Sequence, residues 1–391
     1  MGSVRRLLRI GLAIALAAIG SGGPVAAQQP VAIGARAAAP ARQITAGDGL
    51  IRAALATTPT SSPSIARLIG QKLVVRMDGT TPSADLLGRI RRGEVGGVIL
   101  FGANITTASA LRTLTTTLRA AAAAGGRPHL LIAVDQEGGS IKRIPWIPPT
   151  MSPPEMGRLG STSVARSQGG ATGLALHDLG IDLDFAPVAD VPASTSSFMY
   201  RAGRTWSFNP SRTAWLSNAF AQGLAARSVV PTLKHFPGIG YATQNTDAAV
   251  VKILATQTQL SPGLAPYRMA IANRTALMIM LSNATYPAWD PLHAAGWSPA
   301  IVGTLLRGDL GFTGVTITDS LDGTASARGI STRRLAATAA LAGTDMILTT
   351  GSESATRIVY TYLVQQAVAG AIPIPTLQAS YARILVLKAG L

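Results

Sequence analysis

Short apolar runs alternate with segments of helical spacing along most of this chain. Eight runs read as strands, and they lie at 72–76, 97–101, 130–134, 182–188, 229–233, 276–281, 314–318 and 344–348. The helical segments between them lie at 84–92, 108–124, 164–179, 212–227, 265–273, 300–309, 332–342 and 353–369. Strands that are apolar throughout are typical of a parallel sheet covered on both faces.

Eight strand-then-helix units predict an α/β fold, the (β/α)8 TIM barrel, as one catalytic domain over residues 64–391. Several helical segments are followed by glycine, as at Gly93, Gly125 and Gly343, where a helix often ends in a left-handed residue. A doubly wound open sheet is the alternative. It is disfavoured because no glycine-rich dinucleotide turn follows the first strand.

The amino-terminal segment resembles a secretory signal. Arg5, Arg6 and Arg9 precede an apolar run at 10–19, and small residues precede Gln28, which predicts a signal peptide over 1–27. A single membrane anchor is the alternative, but ten apolar residues are too few to span a bilayer. Residues 28–63 are rich in Ala, Pro and Thr and predict a flexible linker.

The chain has no cysteine, which excludes disulfides, thiolate metal sites and lipid attachment through a terminal Cys. We therefore expect a secreted, periplasmic or cell-wall-associated protein, with no transmembrane segment after signal cleavage. Without the three signal arginines, 31 Lys and Arg remain against 18 Asp and Glu, a net charge of +13. This favours an anionic envelope polymer as partner, although a coding bias toward Arg and Ala would give the same balance.

Nucleic acid is not an expected partner. The basic residues are scattered rather than clustered, and aromatic residues make up only 5% of the chain. Neither a basic stripe nor an aromatic stacking platform is therefore visible. The oligomeric state is left open by the sequence.

Polar residues follow the predicted strands, at the end of a barrel where active sites lie. They are Asp135, Gln136 and Glu137 after the third strand, Asp190 after the fourth, Lys234 and His235 after the fifth, Ser282 and Asn283 after the sixth, and Asp319 after the seventh. Lys234 and His235 end a buried run and open a glycine-bounded loop, so they could hold hydroxyl or carbonyl oxygens of a ligand. A core histidine beside a snorkelling lysine is the alternative.

Carboxyl groups at this rim suggest glycoside hydrolysis, which uses two of them on opposite sides of a pocket. A metal site is not indicated, because the chain has four histidines, no cysteine and no HExxH motif. No cofactor is implied. Asp184 and Asp190 are expected to brace the fourth-strand loops, and Glu137 to cap or pair locally.

Several blocks in order resemble a known family over residues 65–390. They are IGQKLVV (69–75), GEVGGVILFGANI (93–105), AVDQEGG (133–139), DLDFAPVADV (182–191), KHFPG (234–238), LLRGDLGFTGVTITDSLD (305–322) and AGTDMIL (342–348). The chain resembles a family 3 glycoside hydrolase of the single-barrel bacterial β-N-acetylhexosaminidase type. That resemblance implies release of terminal β-linked N-acetylglucosamine from peptidoglycan or chitin fragments.

The resemblance also implies roles for individual residues. Asp319 matches the family's catalytic nucleophile, which forms a glycosyl-enzyme. Five residues match positions that hold the sugar, namely Asp135, Arg143, Arg204, Lys234 and His235. The carbohydrate is the implied substrate.

The chain departs from the family after KHFPG. Ile239, Asn245 and Asp247 stand where the family has a His, an Asp and the His of its acid/base dyad, while Ser140 and Asn283 replace an Arg and a His. Asp247 is the candidate acid/base, since a partly buried carboxyl has a raised pKa; its alternative role is a turn residue in Asn-Thr-Asp. The whole-protein alternatives are a slow hydrolase that needs good leaving groups and a catalytically impaired barrel that binds cell-wall glycans.

Overall fold

The computed structural model describes residues 63–391. The predicted signal peptide and the predicted linker up to residue 62 lie outside them. The first described helix, Ile65–Lys72, begins at Ser64, whose side chain accepts a hydrogen bond from the backbone of Arg67. Among the described residues, no helix is both long and apolar enough to cross a membrane.

Residues 63–391 contain eight parallel strands that form the wall of a barrel. They are β1 (Leu73–Arg76), β2 (Gly97–Ile99), β3 (Leu131–Val134), β4 (Leu183–Asp184), β5 (Val230–Phe236), β6 (Met278–Leu281), β7 (Val315–Thr318) and β8 (Ile347–Thr349). Nearly all strand residues are buried, as the apolar runs predict for strands covered on both faces.

The strands pair in the order β7-β6-β5-β4-β3-β2-β1-β8. In β1, Val74 lies opposite Leu348 of β8 on one side and Gly97 of β2 on the other. A parallel bridge between Ile317 and Met346 joins β7 to the segment entering β8. The sheet thus returns to its first strand, and the predicted (β/α)8 fold is confirmed.

The helices cover the outside of the barrel, and the last of them covers its amino-terminal end. The longer ones are Ile65–Lys72, Ala84–Arg92, Ala108–Ala124, Thr162–Asp178, Pro210–Ala225, Ala265–Ala272, Thr332–Leu341, Glu353–Val368 and Ile374–Ala389, with a wide helix of π type at Ala300–Asp309. Short helices lie at Pro153–Leu159, Phe198–Arg201, Gln257–Leu260 and Leu321–Ala327. The eight predicted helices agree with observed ones within two residues at each end, whereas Ile65–Lys72 and Ile374–Ala389 were not predicted.

Three strands differ from the sequence prediction by three residues or more at one end. The eighth strand begins at Ile347 instead of at 344. The fourth strand is much shorter than the predicted 182–188, because Pro187 has no N–H for a continuing ladder and only an isolated bridge joins Val188 to Lys234. The fifth strand extends through Phe236, so Lys234 and His235 lie on the strand itself. Their side chains are therefore fixed by barrel backbone rather than by a loop.

The carboxy-terminal helix, Ile374–Ala389, closes the amino-terminal end of the barrel. Ile384 and Leu387 pack with the strand residues that fill the barrel interior. Lys388 donates hydrogen bonds to Gln71 Oε1 and to the carbonyl of Gly96, which precedes β2, both at 2.7 Å. The opposite end, where the strands finish, is left for the pocket.

Candidate active site

A pocket of about 380 Å³ lies at the carboxyl ends of the strands. It is lined by all seven residues predicted for the site, Asp135, Arg143, Arg204, Lys234, His235, Asp247 and Asp319. These residues come from five different strand-end loops or strands, and the parallel barrel brings their ends to one face. The structure therefore places the predicted residues together, whereas their roles in a reaction stay a prediction.

The Asp135 carboxylate forms ion pairs with two cationic side chains, Lys234 and Arg143. Lys234 Nζ donates to its Oδ1 at 2.8 Å, and Arg143 Nη2 lies 3.4 Å from its Oδ2. Asp135 follows β3 directly and lies across the pocket floor from β5, which carries Lys234. Such charge-assisted bonds hold each group in a single orientation.

Glu137 was missed as a site residue, and its expected local pairing is wrong. Its carboxylate accepts hydrogen bonds from Arg204 Nη2 at 2.6 Å and Nε at 2.8 Å, and it lies 2.6 Å from Lys234 Nζ. Burial alone would raise the pKa of Glu137, but Lys234 and Arg204 outweigh it and lower the pKa to about 2. Glu137 thus holds two of the predicted sugar-binding cations.

The carboxylates of Asp135 and Glu137 also shift the pKa values of the cationic side chains that they contact. Burial opposes the charged form of Lys234, but Asp135 and Glu137 overcome it and raise the pKa of the ammonium. Arg204 behaves likewise, since Glu137 outweighs burial and raises its pKa. Both side chains therefore present fixed positive charge to the pocket.

His235 lies between two carboxylates. Its Nδ1 is 2.8 Å from Asp190 Oδ2, and its Nε2 is 3.9 Å from Asp319 Oδ2. Asp190 also accepts from the backbone N–H of Ile239 at 2.8 Å, so it braces the loop after β5, and Asp184 accepts from Gln136 N at 2.9 Å. A carboxylate on Nδ1 fixes the tautomer and leaves Nε2 for the pocket.

Asp319 follows β7, and its backbone N–H donates to the carbonyl of Leu281 at 3.0 Å. Its Oδ1 accepts from the N–H of Ser320 at 2.7 Å, and its side chain is 15% exposed. Oδ2 is the oxygen that faces His235. The carboxylate is thus held at one oxygen and open to the pocket.

Asp247 lies at the mouth of the pocket on the loop after β5. Its N–H donates to Asn245 Oδ1 at 3.0 Å, so it is the turn residue that the sequence offered as an alternative, yet it also lines the pocket. Partial removal from water, and then the charge of Asp319, raise its pKa to about 7. Because the residue is exposed overall, solvent screens part of this shift.

The other departures from the family occupy defined places. Ser140 and Ile239 line the pocket, while Asn283 is buried behind Asp319 and donates to the carbonyl of Ser320 at 2.8 Å. Within residues 63–391 no group of three or more His, Asp or Glu side chains is arranged to hold a metal ion.

A pocket at the carboxyl end of a (β/α)8 barrel, lined by the carboxyl groups of Asp135, Asp247 and Asp319 from separate loops, is typical of barrel glycosidases. The fold and the pocket are thus those expected of a glycoside hydrolase. The family described as "Glycosyl hydrolase family 3 N terminal domain" matches residues 65–387. The chain belongs to glycoside hydrolase family 3.

Two relatives by sequence agree with this family. An "Uncharacterized secreted glycosyl hydrolase" from Arthroderma benhamiae is 32% identical over 76% of this chain and 85% of its own length. A "Beta-hexosaminidase" from Pseudomonas aeruginosa is 32% identical over 64% of this chain and 73% of its own length.

Two solved structures share the fold. A β-N-acetylhexosaminidase from Beutenbergia cavernae has a TM-score of 0.77 and 30% identity, covering 84% of this chain and all of the other. A family 3 β-N-acetylglucosaminidase from Paenibacillus has a TM-score of 0.80 and 28% identity, covering 84% of this chain. This chain spans 63% of the Paenibacillus protein, less than two thirds of its length.

Proposed function

We propose that this protein is an exported, retaining glycoside hydrolase that releases terminal β-linked N-acetylglucosamine from peptidoglycan or chitin fragments. The observation that carries the proposal is the presence of Asp319 and Asp247 in one pocket with the five side chains predicted to bind the sugar. Export is supported by the Arg-led apolar amino terminus and by the relative described as secreted.

The terminal sugar is proposed to lie between Asp135 and His235. Asp135 offers carboxylate oxygens to sugar hydroxyls, and Lys234, Arg143 and Arg204 donate to hydroxyl or carbonyl oxygens. His235, with its Nδ1 held by Asp190, presents Nε2 next to the nucleophile. The names of the relatives favour an N-acetylated hexose, and the net positive charge favours an anionic wall polymer.

In the first step, Asp319 attacks the anomeric carbon while Asp247 donates its proton to the glycosidic oxygen that leaves. The raised pKa keeps a part of the Asp247 population protonated near neutral pH, as a general acid requires. In the second step, the Asp247 carboxylate takes a proton from water, which attacks the glycosyl-enzyme and frees Asp319. One carboxyl group thus acts as acid and then as base.

The proposal is tested with two aryl β-N-acetylglucosaminides, one with a good and one with a poor leaving group. Wild-type protein should cleave both. Asp247→Asn should lose about 10²–10⁴-fold in rate on the poor leaving group, which needs a proton, and much less in the first step on the good one. Asp309→Asn serves as the matched control, because Asp309 is exposed on the helix Ala300–Asp309, away from the pocket.

A second measurement tests the covalent step. Asp247→Asn treated with the good-leaving-group substrate should accumulate a glycosyl adduct, because the base for its hydrolysis is missing. Mass spectrometry should locate the adduct on the peptide that contains Asp319, and Asp319→Asn should form none. If wild-type protein cleaves neither substrate, the proposed hydrolase activity on this sugar is wrong.

The binding-only alternative gains no support from the relatives, which are described as hydrolases or hexosaminidases. The same assay separates it from the proposal, since such a barrel would bind N-acetylglucosamine without releasing the aryl group.

A further inference from the structure

The loop that carries Asp247 is tied to the helix that follows Asp319. In this helix, Leu321–Ala327, Thr324 Oγ1 donates to the carbonyl of Thr246 at 3.0 Å. Thr324 is 1% exposed and Thr246 is 4% exposed, so water does not compete for this bond. A buried bond of this kind is costly to leave unmade.

Asn283 at the end of β6 orients the Thr324 hydroxyl. Its Nδ2 donates to Thr324 Oγ1 at 2.9 Å and to the carbonyl of Ser320 at 2.8 Å. The carbonyl of Ser320 can only accept, so the amide must present its NH2 group on this side. The hydroxyl of Thr324 therefore accepts from Asn283 and gives its single hydrogen to Thr246.

Gly323 lets the backbone of Asp247 rest directly on the same helix. A Cβ atom at Gly323 would lie 2.5 Å from the Asp247 carbonyl oxygen and 3.2 Å from Asp247 Cβ. A separation of 2.5 Å is far below van der Waals contact, so any side chain at 323 must displace the loop. Only glycine fits this approach.

We infer that Thr324 and Gly323 are positioning residues that hold Asp247 beside Asp319 before substrate arrives. The inference rests on the proposed role of Asp247 as acid/base and assigns residues that do not touch the sugar. The helix Leu321–Ala327 begins two residues after Asp319, and Gly323 and Thr324 in its first turn contact the loop that carries Asp247. The same helix therefore positions both carboxyl groups. The ionisable groups around Asp247 are Asp319, His235, Arg204 and Asp135.

The test uses Thr324→Val, which keeps the shape of the side chain and removes the hydroxyl. We expect kcat/KM on the poor-leaving-group substrate to fall about tenfold, as for one lost buried hydrogen bond. The value on the good-leaving-group substrate should stay within about twofold. The released carboxyl should gain water and lose part of its interaction with Asp319, so the basic limb of the pH profile should move to lower pH.

Thr324→Ser should restore the wild-type ratio of the two substrates and the wild-type pH profile, because it keeps the hydroxyl. Thr338→Val is the matched control, because Thr338 Oγ1 donates to the carbonyl of Arg334 within its own helix. Gly323→Ala should reproduce the selective loss through displacement of the loop, with every hydrogen-bonding side chain retained.

Three outcomes separate the inference from the proposed function. Selective loss in Thr324→Val and Gly323→Ala, rescued in Thr324→Ser, supports the inference. Equal loss on both substrates, or no loss, overturns it, and the proposed function still stands if Asp247→Asn is selective for the poor leaving group. If Asp247→Asn shows no such selectivity, the role of Asp247 and the inference are both overturned.

Discussion

Asp190 holds the ring of His235 through a 2.8 Å contact between Oδ2 and Nδ1, and the opposite ring nitrogen faces Asp319 at 3.9 Å. Asp190 is fully buried, and His235 is 4% exposed. The carboxylate keeps the proton on Nδ1, so Nε2 can accept from a sugar hydroxyl. The pocket thus depends on a residue that does not line it.

Asp190→Asn should therefore lower kcat/KM about 10–100-fold, the effect of losing a hydrogen bond to a charged group. The amide NH2 can face Nδ1 only if the proton moves to Nε2, which then donates toward Asp319. Steady-state kinetics on the good-leaving-group substrate measures the loss. An unchanged kcat/KM, with Asp309→Asn also unchanged, would show that the tautomer of His235 does not matter.

Glu137→Gln should destabilise the fold, because a neutral amide leaves Arg204 and Lys234 with less negative charge in a buried place. The expected loss in free energy of unfolding is about 3 kcal/mol at pH 7. A carboxyl whose folded pKa is lowered contributes stability above its unfolded value and loses that contribution as the pH falls through the folded value of about 2. Urea unfolding at pH 7 and pH 3 measures the loss in unfolding free energy and its dependence on pH.

The gap between wild type and Glu137→Gln should shrink by about 2 kcal/mol from pH 7 to pH 3, because the Glu137 carboxyl of the unfolded chain binds a proton in this range while the folded carboxyl, with its pKa of about 2, stays ionised. Glu155→Gln serves as the comparison variant, because it removes a carboxylate from the exposed first turn of the helix Pro153–Leu159. A gap of equal size at both pH values would show that Glu137 is not held as a carboxylate by its two cations.

The sequence predicted the barrel and the pocket residues because both depend on order along the chain. Residues that directly follow parallel strands must meet at one end of a barrel, so Asp135 and Asp319 could be placed together from their positions alone. Glu137 follows β3 just as Asp135 does, and its presence in DQEGG was the available signal. Its partner Arg204 is 67 residues away on an irregular segment, and no periodicity fixes where such a side chain points.

Contacts between loops could not be predicted from the sequence for the same reason. Thr324 and Thr246 are 78 residues apart, and both are common helix or turn residues in their local context. Their hydrogen bond depends on where the loop that carries Thr246 passes the helix that carries Thr324, and no sequence pattern gives that position. The length of β5 depends on backbone pairing with β6, where Phe236 lies opposite Leu281, rather than on the apolar run that ends at Leu233.

The pH dependence of the proposed reaction follows from Asp247. On the poor-leaving-group substrate, kcat/KM should fall above a pH of about 7, because the general acid must carry its proton. The raised pKa favours the proposed role of Asp247, because the carboxyl keeps its proton to a higher pH than an ordinary Asp does. Rates from pH 5 to pH 9 give the limb, and Asp247→Asn should lack it. A limb that persists in Asp247→Asn would assign the proton to another group.

Lys72 provides a prediction about the opposite end of the barrel. Its side chain is fully buried and donates to the carbonyl of Thr344 at 2.7 Å and to Ser380 Oγ at 2.9 Å. Burial lowers the pKa of Lys72 to about 7, and the nearby Asp345 offsets this only in part. The unfolded chain therefore binds a proton more tightly than the folded one.

For a lysine with a lowered folded pKa, the penalty on folding is full below that value and disappears as the pH rises to the unfolded value. Between pH 7 and pH 10, the unfolding free energy of the wild type should thus gain about 1.4 kcal/mol per pH unit relative to Lys72→Met. The slope is the test, because Met also loses two hydrogen bonds and its absolute stability combines both effects. Denaturant unfolding at pH 7, 8 and 9 gives the difference, with Lys252→Met, at an exposed position, as control. Parallel curves for wild type and Lys72→Met would mean that Lys72 keeps its charge in the folded barrel and that its two acceptors outweigh burial.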